Sequence, residues 1–138
     1  MNFVMNHVSR KIVFHWLPVL IYCVLIFSQS AFPSPVRAPS FPHMDKVSHF
    51  VAYAILGGLF YRAFTKTRSE GGTLPLIGIS VLSSTLFGAS DELHQYFVPM
   101  RTADPADLLA DLLGSMAGVW LFHCLFIRRA RTSRKIVD

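Results

Sequence analysis

Six acidic residues, Asp45, Asp91, Glu92, Asp104, Asp107 and Asp111, fall into three short stretches of a 138-residue chain, in company with Lys46, His49, Gln95 and Arg101. On a helix Asp45 and His49 are i, i+4 partners and Tyr53 continues their face, while Asp104, Asp107 and Asp111 share a face at i, i+3, i+7. Carboxylates grouped with an imidazole can act as general acid and base, hold a divalent metal or receive a cationic ligand. Asp45, Asp91, Glu92, Asp107 and Asp111 outnumber Lys46 and Arg101, so a shared site would be negative when ionised. It would repel a bare anion and favour a cationic ligand, or a phosphate held through a divalent metal. The chain has no HExxH and no GxSxG, and its two cysteines, Cys23 and Cys124, lack metal or redox spacing. Both thiols are expected to be packed or lipid-facing.

The elements that must carry these groups are apolar. Hydrophobic residues make up 52% of the chain and charged ones 15%, with a mean hydropathy of +0.44. The hydrophobic residues form four blocks, 14–32, 47–64, 74–97 and 105–127. A spanning helix takes about 20 residues, so four consume roughly 80 and leave no room for a second soluble domain. The pattern predicts an all-α, four-helix transmembrane bundle forming a single domain over 1–138. Asp104-Pro105 followed by Asp107 reads as a helix start, with a cap, a fixed φ at the first position and a carboxylate at the third. Pro18 is placed near the start of the first helix, where a missing N–H costs little.

Lys and Arg are unevenly placed. Ten lie at the N-tail (Arg10, Lys11), the second loop (Arg62, Lys66, Arg68) and the C-tail (Arg128, Arg129, Arg131, Arg134, Lys135), against three (Arg37, Lys46, Arg101) at the other end. The positive-inside rule then puts both termini in the cytoplasm and sends the six acids outward, leaving Glu70 and Asp138 inside. Basic residues confined to span ends argue against nucleic acid as a partner. Arg10-Lys11, an apolar run and Ser28-Gln29-Ser30 also have the three parts of a cleavable signal peptide, an alternative that would leave three spans.

Some of these residues have purely structural readings. Asp104 is a helix cap, Asp45 is a second candidate cap with Ser48 at the third helical position, and Asp107 fits the helix dipole. Asp111 fits none of these. Among Leu108, Leu109, Leu112 and Leu113 it needs a buried partner such as His49, Arg101 or Gln95. His94 reads as interfacial, and His7, His15, His43 and His123 carry no assigned role. The GxxxG of Gly114 and Gly118, and Ala54 with Gly58, permit close helix approach. Ser80, Ser83, Ser84 and Thr85 can bond to their own helix or to a neighbour.

The stretches Asp45-Lys46-Val47-Ser48-His49-Phe50-Val51-Ala52-Tyr53 and Asp91-Glu92-Leu93-His94-Gln95-Tyr96-Phe97, then Pro99 and Arg101, then Asp107 with Gly114 and Gly118, resemble the VanZ-like family of small bacterial membrane proteins over about residues 14–127. That family usually carries Asn where this chain has Asp111. The resemblance implies a multi-pass protein of the bacterial plasma membrane and cell envelope, and its founding member is associated with resistance to the glycopeptide teicoplanin. Two functions compete. The first is a non-enzymatic protein whose acidic outer pocket, built from Asp45, Lys46, His49, Asp91, Glu92, Gln95, Arg101, Asp107 and Asp111, binds membrane lipid, a lipid-linked precursor or a glycopeptide. No cofactor is required, although a divalent metal suits the charge. The second is a membrane-embedded hydrolase or transferase, with Glu92 or Asp107 as general base, His49 as its acid or base partner and Arg101 on a phosphate. Transport would need a homo-oligomer, with the glycine faces of the second and fourth helices as the interface to test.

Overall fold

A computed structural model describes residues 7–32, 43–68, 72–99 and 101–135, with side chains described from Arg10 to Leu125 except Lys11. Arg37, Glu70 and Asp138 lie outside the described residues, as do the side chains of Lys11 and of the basic C-tail. The described chain is four helices: α1 (His7–Ser30), α2 (Met44–Thr67), α3 (Thr73–Tyr96) and α4 (Pro105–Lys135), without strands. Each is long and apolar enough to cross a membrane, over Ile12–Ser30, Met44–Thr67, Thr73–Tyr96 and Pro105–Leu125.

The helices alternate in direction. The C-terminal ends of α1 and α3 and the N-terminal ends of α2 and α4 therefore share one end of the bundle, and the six acids of the sequence pattern are all there. Asp104 caps α4, its Oδ1 accepting the Ala106 N–H at 2.9 Å. Asp45 caps nothing. α2 begins at Met44, earlier than the apolar pattern indicates, with His43 as the N-cap residue at φ 67° and no side-chain cap. Asp45 is thus inside the first turn, and Ser48 Oγ donates to the Met44 carbonyl at 3.0 Å. Pro18 also differs from expectation, because α1 starts at His7 and the proline falls well inside the helix. There it removes an i→i−4 bond, a loss that membrane helices tolerate when neighbours compensate.

Packing is uneven. α2 and α4 form the tightest pair: a Cβ on Gly114 would overlap the Phe50 carbonyl, one on Gly118 the Ala54 carbonyl, and one on Gly57 would lie 2.7 Å from the Ser115 carbonyl oxygen. The small residues thus let two backbones touch within one chain. The faces considered for an oligomer are filled by each other, because α2 and α4 run side by side in the same direction and bury both sets of glycines. Polar side chains lace the helices together, with Ser115 Oγ donating to Ser84 Oγ at 2.8 Å and Tyr61 Oη lying 2.6 Å from His123 Nδ1. Trp16 Nε1 donates to Thr67 Oγ1 at 3.3 Å between α1 and α2. α1 packs on α2 and, less, on α3, with no packing on α4 among the described residues. Its Phe14, Leu20, Val24 and Leu25 are left exposed, as a lipid-facing helix requires. Cys23 and Cys124 are free and half-buried.

Candidate functional site

At the acidic end, the first turns of α2 and α4 lie against the last turns of α3. Helical spacing turns His49, Glu92 and Asp111 inward from these three elements. His49 Nδ1 lies 2.9 Å from Asp111 Oδ1 and 3.9 Å from Glu92 Oε1. Asp111 is 0% exposed and Glu92 7%, while His49 is half-buried. Glu92 Oε2 accepts the backbone N–H of Asp104 at 3.0 Å, which ties the end of α3 to the start of α4. Glu92 Oε1, Asp111 Oδ2 and the Tyr53 hydroxyl are buried without a hydrogen-bond partner. The Tyr53 ring lies parallel to the His49 imidazole, 5° apart in plane and 6.2 Å between centroids. Gly88 of α3 makes room for Asp111: a Cβ there would come within 2.6 Å of Asp111 Oδ2.

A second group lies at the rim, centred on Lys46. Its ammonium donates to Asp104 Oδ2 at 2.7 Å, Asp107 Oδ1 at 3.0 Å and Asp45 Oδ2 at 3.1 Å. The Lys46 ammonium, and then the Ala106 N–H, hold the Asp104 carboxyl below its ordinary value. The third group joins α1 to α3. Asp91 Oδ2 accepts Ser30 Oγ at 2.8 Å and Gln95 Nε2 at 3.2 Å.

The acids on three helix ends therefore divide into three adjacent groups rather than lining one pocket. His49, Glu92 and Asp111 meet. Lys46 gathers Asp45 and Asp107, and the Asp45 side chain, 60% exposed, makes its only described ion pair there and does not join His49. Asp91 and Gln95 turn away toward α1. Arg101 is not a pocket cation: its guanidinium donates to the carbonyls of Gln29 at 3.2 Å and Phe32 at 3.2 and 3.3 Å. These carbonyls lie at and just beyond the last turn of α1, at the negative end of its dipole, which attracts a forked cation; Gln29 O also accepts the Phe32 N–H at 3.4 Å. Among the candidates named for Asp111, His49 is the one it pairs with. Ser30 and Gly88 also belong to the acidic end, and neither is marked in the sequence pattern. Ser30 carries no charge to draw attention, and Gly88 is informative only once its helical neighbour is known.

Chemically, the inner group offers one imidazole nitrogen and two carboxylates whose ligand atoms lie within 4.8 Å of one another. Asp111 orients His49 as an acid–base pair would need, yet among the described residues no Ser, Thr or Cys hydrogen-bonds that imidazole. His94 stacks on Phe27 of α1 with 4.2 Å between ring centroids.

The VanZ/LLP1 family matches residues 2–127, and the chain belongs to that family. Among curated proteins it is similar to the uncharacterized protein C11E3.10 of Schizosaccharomyces pombe, with 27% identity over 122 residues, 88% of this chain and 68% of the yeast protein. No solved structure matches.

Proposed function

We propose that this VanZ/LLP1 protein is a non-catalytic binder of the bacterial cell envelope. It sits in the plasma membrane with both termini in the cytoplasm and the acidic end outward. There it receives the polar headgroup of a membrane-associated molecule, either a lipid-linked cell-wall precursor or an amine-bearing glycopeptide of the teicoplanin type. The observation that carries this reading is the fully buried Asp111 with Glu92 and His49, at a membrane depth where ionisable groups are costly and found mainly where they have work to do. The negative surplus of the end supports a cationic headgroup, or a phosphate reached through a divalent metal.

The test measures retention of teicoplanin and of a polyprenyl-diphosphate-linked precursor by purified protein in detergent, alongside the protein level in membranes. Glu92→Gln and Asp111→Ala are expected to abolish retention at an unchanged membrane level. Loss of the protein itself, or retention equal to wild type, would overturn the reading.

The 2.9 Å His49–Asp111 contact favours one alternative, a membrane-embedded hydrolase or transferase in which Asp111 orients His49 and Glu92 exchanges the proton. Arg101, committed to the end of α1, is not available for the phosphate in this arrangement. Turnover of a lipid-linked substrate by purified protein, with or without added divalent metal, would support this alternative; no turnover in either condition removes it.

A further inference from the structure

We infer that His49, Glu92 and Asp111 form a site for one divalent transition ion of the Zn2+ or Mn2+ class. This deepens the headgroup reading and rests on it only for the molecule that the ion would meet.

The three ligand atoms come from three helices. Metal–nitrogen and metal–oxygen bonds of about 2.0–2.2 Å set neighbouring ligand atoms roughly 3–3.5 Å apart. The 2.9 Å between His49 Nδ1 and Asp111 Oδ1 is close to that spacing, the 3.9 Å from Nδ1 to Glu92 Oε1 is wider, and all three ligand atoms lie within 4.8 Å of one another, so the side chains would draw together around an ion. The second observation is independent of the clustering. Glu92 Oε1 and Asp111 Oδ2 are buried, on residues 7% and 0% exposed, and have no hydrogen-bond donor. A buried carboxylate oxygen without a partner is costly, and a cation held by the two carboxylates would offset the charge that these oxygens leave unmatched. The acids around Lys46 present no such orphan. Their ammonium already occupies that role, so the rim is no candidate.

The donor set selects the ion. Ca2+ and Mg2+ prefer oxygen throughout, whereas one imidazole with two carboxylates suits Zn2+, Mn2+ or Fe2+. Three protein ligands leave at least one coordination position for water or a ligand oxygen. The supporting contacts are also present: the Asp104 N–H holds the other oxygen of Glu92, and Gly88 lets Asp111 seat against α3.

The experiment uses the full chain in detergent, stripped with chelator and titrated separately with Zn2+ and Mn2+. The expected result is one ion per chain, with spin-echo modulation of bound Mn2+ showing one imidazole nitrogen. Glu92→Gln should weaken binding at least about tenfold, as should Gly88→Ala through the support it withdraws from Asp111. His49→Gln should remove the nitrogen signal, and Tyr61→Phe at the far end should change nothing. No stoichiometric ion on the wild-type chain, or a bound ion without nitrogen, overturns the site, and neither result depends on a variant folding. Equal affinity in Glu92→Gln overturns it too. If precursor retention persists in stripped protein and still needs Glu92 while no ion binds, the ion is removed and the headgroup reading stands. An ion that binds while no precursor or teicoplanin is retained has the opposite meaning.

Discussion

Two buried polar groups lie side by side at one end of this bundle, and a single residue step along α3, from Asp91 to Glu92, separates them. Around Asp91, a hydroxyl and an amide both reach the same carboxylate oxygen, and the result is a strut between α1 and α3. Around Asp111, a second carboxylate and an imidazole converge, and two carboxylate oxygens, Glu92 Oε1 and Asp111 Oδ2, are left without donors where the Asp91 group leaves one, Oδ1. The first group contains what a lipid-embedded bundle needs to hold a peripheral helix. The second holds more negative charge than its own hydrogen bonds use, and that surplus is what a bound cation could satisfy.

The largest test of the contrast is to exchange the roles. Asp111→Ala should remove ligand retention altogether while the bundle persists, whereas Asp91→Asn should leave retention intact. The two measurements are retention in detergent and helix content of the same sample; loss of retention in both variants would erase the distinction. Next comes Gly88→Ala, whose new methyl would press on Asp111 Oδ2 at 2.6 Å. Overpacking of this kind costs about 1–3 kcal/mol, so both denaturant resistance and ligand affinity should fall. Asp91→Asn should be milder in stability, since a hydrogen bond between membrane helices contributes about 0.6 kcal/mol on average. Reversible unfolding in mixed micelles would measure it, and a loss several times larger would mean that the strut carries more of the fold than its contacts indicate.

The smallest effect belongs to the rim. Asp104 has a depressed folded pKa, so its pairing with Lys46 contributes fully above the ordinary value of 3.8 and is lost as pH falls through the lower folded value. Protection of the Ala106 amide, measured against its intrinsic exchange rate at each pH, should therefore fall only below about pH 4, where the acid begins to protonate. An amide insensitive to acid would remove Asp104 as the cap that matters.

Much of this fold is legible in the sequence because lipid imposes a coarse rule. Four long apolar runs need four helices, and Asp104-Pro105 marks the start of the last one in letters that have few other uses. The site is less legible. Asp91 and Glu92 are neighbours in sequence but about 100° apart around the helix, so their assignment to different groups depends on how α3 is rotated, which spacing alone does not fix. Arg101 illustrates a different limit: a long flexible cation goes to whichever acceptors lie nearest, and the carbonyls of Gln29 and Phe32 come near only after α1 is docked. Asp45 lost its expected place because α2 starts one residue before it, a shift of the size that helix boundaries commonly show.

The contact of Gly114 and Gly118 with the carbonyls of Phe50 and Ala54 acts like the teeth of a vernier. Both pairs are four residues apart on each helix of the seam, so these contacts fix the register of α2 along α4, and a shift of a single residue would turn His49 by about 100° away from Asp111. The alignment of the acidic end is thus inherited from glycines deeper in the bundle that touch none of its side chains.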